Sequence, residues 1–135
     1  LEKKISKSTI GKKGRAAGKR FEAQVRKDLE KDNWIVVKWT NQIDFTTNKI
    51  IPAKNKFNPF LGRVMSEGSG FPDFLAYKLL NIGTYEIIGV ESKLGKYLDT
   101  EEKKKAQWLV DHKIFKKILV AYKPQRGEIK YEAVC

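Results

Sequence analysis

Two apolar runs separated by a short turn constrain the fold of this chain more than any other feature. Phe74–Leu79 and Tyr85–Lys93 are rich in aromatic and aliphatic residues, and Asn81-Ile82-Gly83 between them carries turn chemistry. The pattern predicts a strand, a turn and a second strand. A helix is expected next. Leu94-Gly95-Lys96 is a connection, and Asp99-Thr100-Glu101-Glu102 has the spacing of a capping box, with Asp99 as N-cap and Glu102 able to reach back. This helix should run to about Asp111 and bury Ala106, Leu109 and Val110. Lys116–Tyr122 then reads as a strand, Pro124–Gly127 as a turn and Ile129–Val134 as a last strand.

Upstream, residues 15–31 lack proline, and Ala17, Phe21, Val25 and Leu29 recur every four positions, which predicts an amphipathic helix with one buried stripe. Lys31-Asp32-Asn33 ends it, and Trp34–Trp39 reads as a strand. Residues 40–70 hold four Asn, two Pro and three Gly and read as a loop-rich insertion with a hairpin around Thr46–Ile51. The expected order is α-β-(insertion)-β-β-α-β-β. That order predicts an α/β domain with a mixed central β-sheet flanked by helices. Residues 1–13 are expected to form a flexible basic arm and 14–135 a single domain.

Charge narrows the partners. The chain of 135 residues has 28 Lys and Arg against 16 Asp and Glu, a net charge of +12. Such an excess points to a polyanion, nucleic acid before an anionic membrane surface. No stretch approaches the ~20 apolar residues of a spanning helix. The first residues lack the apolar core of a signal peptide, and the lone Cys135 rules out an intrachain disulfide framework. An intracellular setting, cytoplasm or nucleoid, is expected. Neither a membrane nor a small organic cofactor is expected.

The chemistry centres on Asp73, Glu91 and Lys93. Asp73 precedes the first strand of the pair, and Glu91 and Lys93 end the second on one face of it. Adjacent strands lie under ~5 Å apart, so the two carboxylates can meet if the register allows. Carboxylates that close repel and call for a cation, and oxygen ligands favour Mg²⁺, with Mn²⁺ able to substitute. Such a centre suits phosphodiester hydrolysis, with Lys93 supplying charge to the transition state rather than acting as a base. Ser66, Ser69 and Cys135 have no histidine placed to activate them, and His112 reads as a surface residue.

Pro72-Asp73, followed by Glu91-Ser92-Lys93, resembles the PD-(D/E)XK nuclease superfamily. Glu22 in Gly18-Lys19-Arg20-Phe21-Glu22 is similar to the N-terminal acidic motif of archaeal Holliday junction resolvases. Lys38 stands where those enzymes tend to carry a basic residue. Gly70-Phe71-Pro72-Asp73, Val90-Glu91-Ser92-Lys93 and Gln107-Trp108-Leu109 are also similar to the VRR-NUC branch, whose corresponding helix carries a glutamine. The resemblance spans roughly residues 14–122. It implies a restriction-endonuclease-like core, Mg²⁺ dependence and cleavage of DNA, with branched DNA as substrate and a homodimer to cut two strands. It also implies that Glu22 joins Asp73 and Glu91 at the metal. The insertion at 40–70 is longer than in a minimal resolvase.

Lys12, Lys13, Arg15, Lys19 and Arg20, with Lys38 and Gln107, are the candidate nucleic-acid contacts. Ordinary alternatives stand beside these readings. The acids could be solvated strand ends, Glu22 could pair with Arg26 one turn on, and Gln107 could sit on a solvated face. A catalytically silent nucleic-acid-binding module and an RNA-directed nuclease are the competing functions.

Overall fold

Helix α1 (Lys7–Lys31) opens the fold and buries Phe21, Val25 and Leu29 against a five-stranded sheet. In the computed structural model, residues 7–53, 55–58, 60, 62–66 and 70–134 are described, the side chains of 7–13, 55–58 and 63–66 excepted. The backbone of residues 7–13, expected as part of a flexible arm, is helical. Nothing in Lys7–Lys31 interrupts a helix, since the segment lacks proline and glycine costs only ~1 kcal/mol per position. Residues 1–6 of the expected arm and the side chains of Lys12 and Lys13 lie outside the description.

The strands are β1 (Ile35–Lys38), β2 (Asn41–Asp44), β3 (Lys49–Pro52), β4 (Asn55–Asn58), β5 (Arg63–Ser66), β6 (Phe74–Asn81), β7 (Thr84–Ser92), β8 (Ile118–Gln125) and β9 (Glu128–Ala133). Helix α2 (Thr100–Asp111) joins β7 to β8. The main sheet has the order β1-β6-β7-β8-β9. Only β7 and β8 run parallel, because α2 carries the chain back between them; the other neighbours are antiparallel. The architecture is therefore α/β with a mixed sheet, as expected. Among the described residues no helix is long and apolar enough to cross a membrane.

Each face of the sheet has its own core. Val36, Phe74, Ala76, Ile88, Val90 and Ala121 face α1. Ala106 and Leu109 of α2 meet Phe71, Phe115, Ile118 and Val120 on the other side. Full burial of a side chain of this size contributes about 1.5–3 kcal/mol. Trp34 packs on the first core and Trp39 on the second, with Trp39 edge-on to Phe115 at 5.1 Å. The capping box is present at α2: Asp99 accepts from the Glu102 amide at 2.8 Å, and Glu102 Oε1 accepts from the Asp99 amide at 3.1 Å.

Two elements depart from the expected pattern. The insertion holds two hairpins, β2–β3 and β4–β5, and the first begins at Asn41. Its turn is set by Asp44, whose Oδ1 accepts from the amide of Thr46 at 3.0 Å, and by Asn48 with a positive φ of 57°. Ile43, Phe45 and Ile50 of this hairpin reach the second core, and Asn48 Oδ1 accepts from Trp108 Nε1 at 2.5 Å. Tertiary burial and this tether to α2 order a segment whose composition reads as loop. Strand β8 also continues through Pro124 to Gln125 instead of ending at Tyr122. The register with β9 is irregular between Tyr122 and Gln125, and a ladder break tolerates a residue that has no N–H.

Gly70 joins the insertion to the β6–β7 pair. A Cβ there would lie 2.5 Å from the Asn41 nitrogen and 2.6 Å from the Asn41 oxygen. The contact is backbone on backbone, and Phe71 donates its N–H to Asn41 O at 3.0 Å beside it. Gly70→Ala is therefore expected to lower stability by about 1–3 kcal/mol, through forced backbone displacement. Urea denaturation would measure it; an unchanged midpoint would contradict the close approach.

Candidate active site

Register decides whether the acids can meet. Phe74 pairs with Val90, so Asp73 falls opposite Glu91, one step beyond the last pair. Both are buried, at 7% and 6% exposure, and they are the buried charged residues of the described chain. Their side chains share the face opposite to Val90, which is turned toward α1. Upstream of Asp73, the Trp39 N–H donates to its carbonyl at 3.0 Å and fixes the backbone.

Glu22, Asp73, Glu91, Ser92 and Lys93 line one cleft of about 320 Å³. Gly18, Gln42, Gly70, Phe71, Glu102 and Lys105 complete its wall. One helix, two strands, the insertion hairpin and α2 thus contribute to a single site. Asp73 Oδ2 accepts from the Ser92 amide at 2.9 Å and from Ser92 Oγ at 2.7 Å. Alternation along β7 predicts that Ser92 points away from Glu91. The strand ends at Ser92, so its hydroxyl instead serves the carboxylate across the gap.

The electrostatics are those of crowded carboxylates. Burial first, then the charge and hydrogen bonding of Asp73, and then Glu102, push the Glu91 carboxyl up to about 10. At neutral pH Glu91 therefore holds a proton, which it shares with a carboxylate neighbour. Glu22 is also raised, by burial and by Asp73 beside it, although Lys38 opposes the shift. Lys38 Nζ donates to Glu22 Oε2 at 3.1 Å. Glu22 does not pair with Arg26, which bonds Glu30 at 3.3 Å and Val36 O at 3.1 Å.

Lys93 Nζ donates to Glu102 Oε2 at 2.7 Å. Burial works against its charge, but the hydrogen bond and charge of Glu102, with Glu91 and Asp99 beyond, hold its pKa above the ordinary lysine value. The ammonium form is favoured. Glu102 was readable in the sequence only as a helix cap. Its two oxygens do two jobs, one on the Asp99 amide and one on Lys93. An acid at the third position of a capping box, nine residues after the lysine of a strand-end acid-x-lysine, closes a short connection onto the site; that spacing was the available signal.

The remaining candidates divide. Arg15, Lys19 and Arg20 are exposed on α1, and Arg15 shares the helix face of Gly18 and Glu22. Gln107 is exposed, donates to Asp111 Oδ1 at 2.7 Å and does not reach the cleft, because its helix turns Ala106 and Leu109 inward instead. His112 stacks on Trp108 at 3.8 Å and is exposed.

The chain matches no protein-family model, no curated protein and no solved structure. The cleft must be read from its own residues. Among the described residues, no three His, Cys, Asp or Glu side chains stand as a ready chelating group. The acids meet pairwise, Glu22 with Asp73, Asp73 with Glu91, and Glu91 with Glu102. The donor chemistry nevertheless fits a hard divalent cation. It consists of oxygen ligands whose mutual repulsion, visible in the raised Glu91 and Glu22, a cation would relieve.

The sign of the Glu91 shift gives a pH dependence. Its folded pKa lies above its unfolded value of 4.5, so its contribution to stability is full below about pH 4.5 and is lost as pH rises toward 10. Without divalent ions, stability should fall across that window with a slope of order 1 kcal/mol per pH unit. Glu91→Gln, which stays neutral, should flatten the slope and raise the melting temperature at pH 9. Thermal melts from pH 5 to 9 would show it, and parallel curves for the two proteins would refute it.

Proposed function

We propose that the chain is a divalent-metal-dependent nuclease with a restriction-endonuclease-like core, hydrolysing phosphodiester bonds in DNA, with branched DNA as its preferred substrate. The observation that carries this reading is the meeting of Asp73 and Glu91 at one strand end, with Glu22 and Lys93 in the same cleft. Asp73 and Glu91 would hold Mg²⁺ or Mn²⁺, with Glu22 as a further ligand, direct or through water. A cation held there supplies Lewis-acid charge at a phosphate oxygen and a more acidic water. Lys93 keeps its ammonium group beside the cleft, where negative charge gathers on the phosphorus centre. Glu102 holds that ammonium in place. Lys38, Lys105 and the exposed Arg15, Lys19 and Arg20 offer contacts to the phosphate backbone. Branched DNA enters from the resemblance to junction resolvases, and symmetric cutting of a junction requires two copies of the site.

A second reading has a specific observation in its favour. Lys38 occupies Glu22 and Ser92 occupies Asp73 Oδ2, so the acids are satisfied without a metal, as in a silent nucleic-acid-binding module on the same fold. One assay separates the readings. Labelled duplex, single-stranded and four-way-junction DNA, with RNA counterparts, are incubated with the protein and Mg²⁺. Cleavage of branched DNA is expected, with Asp73→Ala binding DNA but not cutting it. Lys93→Ala should keep binding and lose roughly a hundredfold or more in turnover. If wild type and Asp73→Ala both bind and neither cuts any substrate, the silent module is correct. Preferential cutting of RNA would move the substrate class.

Glu102→Gln tests the positioning of Lys93. Turnover should fall roughly tenfold with DNA affinity kept. The loss of the negative partner lowers the Lys93 pKa, so the alkaline limb of the pH–rate profile should move to lower pH. A slower enzyme with an unmoved limb would leave Glu102 a purely structural cap.

A further inference from the structure

The face of the sheet that carries α2 is only partly covered. Helix α2 and Phe115 close it over β8 and the end of β7, where a Cβ on Gly89 would meet Pro72 Cγ at 2.8 Å and Phe115 Cδ2 at 3.4 Å. Among the described residues the cover stops toward β1. The register sets Ile35 beside Tyr77 and Tyr77 beside Ile87, and it pairs Val37 with Leu75 and Leu79 with Tyr85. These rows lie on one face and contain no charged residue. Ile35, Val37, Leu79, Tyr85 and Ile87 are each 40–55% exposed. Tyr77 meets Tyr85 edge-on at 6.0 Å, which stiffens the middle of the patch. A groove of about 350 Å³ adjoins it, where Val110, Ile114 and Phe115 face Tyr85 and Ile87. Glu86, Lys113 and Lys116 line that groove together with its apolar residues.

We infer that this face pairs with the same face of a second copy of the chain. Nucleic acid is a poor occupant, since the rows offer no cation to a phosphate. Five half-exposed side chains of this size present on the order of 500 Å² of apolar surface, at the upper end for a monomer. With the groove the surface approaches the roughly 800 Å² per partner of a standard interface. A twofold arrangement sets the uncharged rows against each other, and twisted sheets pack face to face at ~10 Å with such side chains interdigitated. The strip begins at the Val37–Leu75 pair, two residues from Asp73, and runs away from the cleft. Leu79 lies six residues beyond Asp73 along β6, ~20 Å at ~3.3 Å per residue. The inference gives the two-copy arrangement a surface, and it rests on this face alone, not on hydrolysis.

Sedimentation velocity of the full chain tests it. The wild type is expected at twice the 15.6 kDa chain mass. Leu79→Lys and Ile35→Lys, at positions more than half exposed, should each weaken association about a hundredfold or more with the circular dichroism spectrum kept. Tyr97→Lys, at a residue 78% exposed outside these rows, should leave the dimer intact. A readout without mutation is the melting temperature, which should rise with protein concentration. A wild type that stays monomeric at the highest soluble concentration overturns the proposal, and so does a dimer that both face variants leave unchanged. A dimer that cuts no nucleic acid would count against the nuclease reading and leave the interface standing.

Discussion

Placing two carboxylates side by side at a buried strand end is the constraint around which this structure is arranged. Asp73 and Glu91 sit where water is scarce, and burial and the Asp73 carboxylate raise the cost of ionising Glu91. The fold does not remove that cost. It distributes it: Ser92 gives Asp73 two hydrogen bonds, Glu91 retains a proton, and Lys38 and Lys93 stand at the margins with Glu22 and Glu102 as partners. An arrangement so unfavourable for a plain core is what the proposed metal-dependent function would account for.

Holding such a site requires support from well beyond the two strands. Gly70 lets the chain press onto the Thr40–Asn41 backbone and brings Phe71 and Asp73 into line with β7. The β2–β3 hairpin fills the second core and is tied to α2 through Asn48 and Trp108. Helix α2 in turn delivers Glu102 to Lys93 through the geometry of its first turn. The insertion is thus a wall of the cleft, and it is coupled through packing to the helix that orients the lysine.

The two faces of the sheet play unequal parts. Under α1 the central apolar side chains are buried, with Trp34, Leu119, Ile129 and Tyr131 partly so, and Glu22 comes with that helix to the carboxylate pair. On the opposite side α2 spans only the β7–β8 half, since it must connect those two strands and is twelve residues long. The apolar strip left over β1, β6 and β7 follows from that length. The proposed chemistry lies at one end of the strands, and the proposed association would use the strip that begins at the Val37–Leu75 pair.

Local pattern determined a great deal here. The four-residue spacing of Phe21, Val25 and Leu29, the Asn81–Gly83 turn and the Asp99–Glu102 capping box each encode short-range geometry, and they set α1, the β6–β7 pair and the start of α2. Asp73, Glu91 and Lys93 were legible for the same reason: strand alternation and one turn suffice to bring them near each other. The insertion was legible only in part: a hairpin around Thr46–Ile51 was expected, but neither its start at Asn41 nor the second hairpin was. Its first hairpin depends on Ile43, Phe45 and Ile50 finding a core built by residues far along the chain, and composition carries no record of that burial. Nor could spacing reveal that Glu102 meets Lys93, that Lys38 meets Glu22, or that Ser92 turns to Asp73. Gln107 shows the converse, because a helical position suggested by resemblance points along its own helix to Asp111. The sequence by itself determined the elements outside the insertion and the identity of the buried acids, since both follow from local periodicity. Which charges those acids face was decided only by tertiary structure, because it depends on strand register and helix placement acting over distances that no local pattern encodes.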